Sequence, residues 1–66
     1  MCLAKAVLEA PKAEEQTLFC ENVARVEVED DRITVYDLIG RPYETWGSVK
    51  TITFVGESTI VIAPPQ

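Results

Sequence analysis

Apolar and polar residues alternate most regularly between residues 24 and 36. Ala24, Val26 and Val28 are interleaved with Arg25, Glu27 and Glu29, and Arg32-Ile33-Thr34-Val35-Tyr36 resumes the pattern after Asp30-Asp31. A period of two places successive side chains on opposite faces of a strand. The stretch therefore predicts a hairpin that turns at Asp30-Asp31, with Ala24, Val26 and Val28 on its dry face.

The rest of the chain divides into similar short runs. Leu3 to Leu8 is too short to stand alone as a helix before Pro11 and reads as a strand. Pro11 to Glu14 forms a charged turn, Gln16 to Cys20 a second strand, and Glu21-Asn22 the turn before the hairpin. After the hairpin, Asp37-Leu38-Ile39-Gly40 interrupts the alternation, and a Gly directly after an apolar run commonly supplies a positive φ. Pro42 has no amide proton for a ladder, so it belongs at a strand start or an edge. Tyr43 to Trp46 is a strand closed by Gly47-Ser48, Val49 to Val55 another, and Gly56-Glu57-Ser58 a turn. Thr59 to Ile62 is the last strand, and Ala63-Pro64-Pro65-Gln66 reads as a tail. The pattern predicts one all-β domain over residues 1–62, with six or seven short strands in a strongly curved sheet or small barrel. Ile60-Val61-Ile62 is apolar throughout, so this strand is expected to be covered on both faces, the second cover being another copy of the chain, edge to edge or face to face.

Size makes that expectation stronger. A chain of 66 residues buries only about 60% of the surface it exposes when unfolded, and small folds compensate with disulfides, a metal or self-association. Two cysteines and no histidine leave little material for the first two, so a homodimer is expected. The net charge of −5 and six scattered basic residues work against a nucleic-acid role, which draws on clustered Lys and Arg. No segment reaches the ~20 apolar residues of a membrane span. The start lacks the basic leader and long apolar core of a signal peptide, so the expected compartment is the cytoplasm, where cysteines stay reduced.

No catalytic constellation is present: there is no histidine to serve as a base, and no nucleophile has an activating neighbour. The carboxylate pairs Glu14-Glu15 and Asp30-Asp31 read as solvated turns, and Tyr43 and Trp46 as core or interface. Cys2 stands apart because of its place. If Met1 is removed, the free amine and thiolate of Cys2 close a five-membered N,S chelate. If Met1 is kept, its amine, the Cys2 amide nitrogen and the Cys2 thiolate chelate in sequence. Either donor set favours Ni(II) or Cu(II) over Zn(II), and two Cys2 residues in a symmetric dimer would complete the coordination. The alternative is that Cys2 packs as a small hydrophobe. Cys20 reads as a partly buried thiol, or as a second, weaker ligand.

Met1-Cys2-Leu3-Ala4 at the start, Leu18-Phe19-Cys20-Glu21-Asn22-Val23, and Ile33-Thr34-Val35-Tyr36-Asp37-Leu38-Ile39-Gly40 together resemble the CooT family of small nickel-binding proteins, associated with maturation of the nickel site of carbon monoxide dehydrogenase. The resemblance implies a small Sm-like or SH3-like β-barrel, a homodimer, and one Ni(II) held through the N-terminal cysteine, here Cys2. It also implies a nickel enzyme or its maturation factors as partners. Cys20 stands where similar sequences have Met or Leu, a departure that leaves a second soft ligand open. The resulting expectation is a non-enzymatic nickel-binding accessory protein. The alternative is an Sm-like module that binds RNA or a protein partner, with Cys2 incidental.

Overall fold

In the computed structural model, which describes residues 3–10 and 15–65, six strands follow one another: β1 (Ala4–Glu9), β2 (Gln16–Glu29), β3 (Arg32–Asp37), β4 (Pro42–Trp46), β5 (Ser48–Thr53) and β6 (Thr59–Ala63). The all-β expectation holds. The turn expected at Pro11–Glu14 lies outside the described residues. All six strands join one sheet in the order β4-β3-β2-β1-β6-β5, with β1 and β6 parallel and every other neighbouring pair antiparallel. Among the described residues no ladder joins β4 to β5, so these two are the edges and the sheet does not close.

The longest strand organises the rest. The expected turn at Glu21-Asn22 is instead a corner inside β2. Its first part, Gln16 to Val23, pairs with β1, and its second part, Val23 to Glu29, pairs with β3. Asn22 takes φ 57 at this corner, a conformation that Asn tolerates better than most residues. The β2–β3 register shifts between Val23 and Arg25, which inserts one residue, Ala24, as bulges do. The insertion corrects the predicted dry face. Val23 is buried and Val26 packs on the core, three positions apart, whereas Ala24 is exposed and Val28 is 58% exposed.

Beyond the bulge, the predicted hairpin forms. Glu29 faces Arg32 across Asp30-Asp31, and Asp30 adopts φ 55. Ile33 and Val35 of β3 are fully buried. They join Ala6, Cys20, Val23, Ile60 and Ile62 in the core, against which Leu8, Phe19, Tyr43 and Val49 pack. Truncating a residue such as Ile33 to Ala would cost about 2–5 kcal/mol.

The turn from β4 to β5 is a single residue, Gly47, whose amide donates to the Asp31 carbonyl at 2.7 Å. It thereby ties the hairpin tip to the far end of β6. β5 ends at Thr53, two residues short of the predicted run, and β6 continues to Ala63, which pairs with Ser48. β6 is not an edge, since β1 and β5 flank it. Edge-to-edge pairing through Ile60-Val61-Ile62 is therefore ruled out. Ile60 and Ile62 face the core, while Val61 is half-buried beside Val7.

Candidate functional site

Cys2, the residue singled out as a metal ligand, lies outside the described residues. The strand that leads to it is well anchored. Ala4 faces Val23 at the β2 corner, and Lys5 pairs with Thr59 on the other side. The Lys5 amide donates to the Ser58 carbonyl at 3.0 Å, and its ammonium lies 3.5 Å from Glu57. Antiparallel β5 brings Thr53 into the same row. The start of β1 is thus flanked by the β5–β6 turn, where Phe54 and Val55 are 76% and 87% exposed.

The second thiol sits elsewhere. Cys20 faces Ala6 rather than the start of β1, is buried in the core, and donates to the Glu21 carbonyl at 3.4 Å. Burial, reinforced by the charge of Asp37, pushes its pKa up. A protonated thiol inside the core is a poor ligand, because metals take the thiolate. Among the described residues, no three Cys, Asp or Glu side chains gather into a cation site.

The best-organised polar cluster surrounds Asp37. Its Oδ1 accepts the amides of Ile39 at 3.0 Å and Arg41 at 2.9 Å, and its Oδ2 accepts Arg41 Nε at 3.1 Å and the Tyr43 hydroxyl at 3.2 Å. The amide bond from Arg41 is the largest reason its pKa is held below the ordinary carboxylate value, with the Tyr43 and Arg41 side chains adding to it against partial desolvation. Tyr43 is pushed up in turn, first by desolvation and then by its bond to Asp37. The Gly40 amide closes the turn on the Asp37 carbonyl at 2.9 Å, and Gly40 adopts φ 96. An open hollow of about 540 Å³ lies between this turn and residues Leu18 to Asn22 of β2. The Asp37 carboxylate thus ties the end of β3 to the turn at Ile39 and Arg41 and to Tyr43 of β4, so the cluster shapes the fold. Sequence reading placed a turn here but missed Asp37 as its organiser. The signal was an Asp two residues before a backbone amide in need of an acceptor, as in an Asx-turn.

Charge on the described surface is balanced locally. Lys5 pairs with Glu57, Arg25 with Glu27, Arg32 with Glu29, Arg41 with Asp37 and Lys50 with Glu9. Arg25 also lies 5.4 Å from the centre of the Tyr36 ring. Apart from Arg41–Asp37, whose carboxylate is buried, such surface pairs add little stability, but together they leave each described basic residue beside a carboxylate, which does not make a surface for phosphates.

With the strand that leads to Cys2 anchored on both sides, comparison with known families decides the class. The model of the family described as CO dehydrogenase accessory protein CooT matches residues 1–62, including the Met1-Cys2 start. The chain belongs to the CooT family. CooT is an accessory-protein family and not an enzyme family, in keeping with the absence of a catalytic constellation in the sequence. Neither the curated proteins nor the solved structures contain a match. The CooT match covers the whole described sheet up to Ile62, so β1, the β2 corner and the Asp37 turn all lie within it.

Proposed function

We propose that this CooT-family chain is a nickel-binding accessory protein for maturation of CO dehydrogenase, and that it holds Ni(II) through Cys2 at the interface of a homodimer. The observation that carries this reading is the family match that begins at residue 1 and takes in Cys2. The burial and raised pKa of Cys20 support it, because they leave Cys2 as the thiol suited to ionise. The donor chemistry fits as well. A thiolate with its neighbouring backbone nitrogen makes a strong-field N/S chelate that suits Ni(II), and one chain fills only part of a square-planar set. The chain's part is to present the thiolate and backbone nitrogen and to release the thiol proton on binding, so affinity falls as pH falls. Thermal melting with and without Ni(II) tests the reading. Wild type should gain stability that rises with the logarithm of free metal above its dissociation constant, and Cys2→Ser should gain none. An equal gain in both would overturn it.

A further inference from the structure

We infer that the open edge of β4 takes an extended basic segment of a partner protein, whose backbone adds a strand there and whose cationic side chains, two residues apart, sit against Trp46 and Glu44. The inference stands apart from the metal reading, since β4 lies three strands from β1 in the sheet order.

Of the two sheet edges, β4 is the one whose pairing groups stay in regular order. Proteins commonly blunt an edge with a bulge. β5 has such a break, a register shift between Val49 and Thr51, whereas β4 keeps unbroken register against β3 from Pro42 to Trp46. The two ends of that ladder fix which groups are free. The Asp37 amide donates to the Arg41 carbonyl at 3.1 Å, and the Gly47 amide donates to the Asp31 carbonyl at 2.7 Å. Bonded and non-bonded pairs alternate in an antiparallel ladder, so Tyr43 and Thr45 bond to β3, while Glu44 and Trp46 turn their N–H and C=O groups outward. The chain that follows β6 does not close this edge. It passes Thr45 and Trp46 across a hollow of about 190 Å³ that Pro64 and Pro65 also line, and neither proline has an amide proton to give.

The side chains choose the occupant. Glu29, Arg32 and Trp46 form one row across β2, β3 and β4. Trp46 is 62% exposed and lines a second hollow, of about 230 Å³, with Glu29, Asp30 and Arg32. Glu44, also exposed, lies two residues away on the same face. Arg25 and Arg32 are taken up by Glu27 and Glu29, which leaves Asp30, Asp31 and Glu44 with no cation among the described residues. An aromatic face beside carboxylates suits a Lys or Arg side chain, through cation–π and charge attraction together. On an added strand, side chains two residues apart share a face, so one meets Trp46 and the next meets Glu44. A second copy of the chain, at net charge −5, brings the wrong sign and has no two basic residues at that spacing.

Titration of the full chain with a capped synthetic peptide of alternating Val and Lys tests the surface. Emission of Trp46, the only tryptophan in the chain, reports binding, with calorimetry for the variant that lacks it. Wild type should bind with an affinity that falls as salt rises, and the same peptide with Glu in place of Lys should not bind. Glu44→Lys and Trp46→Ala should each weaken binding at least about 10-fold. Glu57→Gln, which removes a carboxylate beside Lys5 instead, should leave it within about 2-fold. A peptide N-methylated at alternate residues, unable to add a strand, should bind at least about 10-fold more weakly. Far-ultraviolet circular dichroism confirms that each variant is folded. The inference is overturned if wild type fails to bind the peptide, if Glu44→Lys or Trp46→Ala binds it as tightly as wild type, or if the N-methylated peptide matches its parent. An affinity that falls as protein concentration rises overturns it too, since a second copy then holds the edge. Cys2→Ser should bind the peptide as wild type does, so failure of the metal reading is read separately.

Discussion

A Cβ on Gly47 would lie 2.1 Å from the carbonyl oxygen of Ala63. The corner that carries the chain from β4 to β5 therefore has no room for a side chain, and Gly47 also holds φ 145, where side chains are rare. Gly47→Ala should lose about 2–4 kcal/mol, the sum of the conformational and overpacking penalties. Urea unfolding measures it, and a midpoint equal to wild type would show that the corner relaxes freely.

Asp37 gives the fold a predictable acid response. Its folded pKa is lowered, so its contribution is fully present above the ordinary aspartate value of 3.8. The contribution fades as pH falls from that value through the lowered folded one. Asp37→Asn should melt at a lower temperature than wild type at neutral pH, and the gap should narrow below about pH 4. Melting curves at a series of pH values report it. A gap that stays constant or widens in acid would contradict the assignment.

The regular stretch from Arg25 to Tyr36 was legible because alternation is local, and the hairpin at Asp30-Asp31 formed where the pattern placed it. Pro42 at the start of β4 and Gly40 at positive φ were legible for the same reason: each residue type restricts its own backbone. The β2 corner was not, because Glu21-Asn22 looks the same whether the chain turns back or bends within a strand. What distinguishes the two is pairing with β1 and β3 on different sides, a long-range fact. The bulge at Ala24 likewise exchanged Ala24 for Val23 in the core with no local sign. The parallel pairing of β1 with β6 joins the two ends of the fold and has no sequence period at all. Of the candidate site, Cys2 was singled out from chemistry and resemblance, and it lies outside the described residues. The role of Asp37 was missed because a single carboxylate next to an apolar turn carries little signal until Arg41 and Tyr43 are seen to converge on it.

Cys20 should behave as a core thiol. In Cys2→Ser it is the one thiol left, and its reaction with a disulfide reagent at mildly alkaline pH should be at least about 100-fold slower in the native protein than in denaturant. Rapid native reaction would show that it is accessible and restore it as a second ligand.

The paired surface cations predict no RNA affinity. Single-stranded RNA should not be retained by the protein even at low salt, where phosphate contacts are strongest. Salt-sensitive retention would favour the Sm-like binding module over the metal role.

Nickel titration of wild type against Cys2→Ser tests the central claim most directly. With wild type, a thiolate-to-nickel charge-transfer band in the near ultraviolet should grow to an endpoint of one Ni(II) per two chains, weaken as pH falls, and survive Cys20→Ser. Cys2→Ser should show neither the band nor the binding. A Cys2→Ser protein that binds Ni(II) as tightly as wild type would contradict the account.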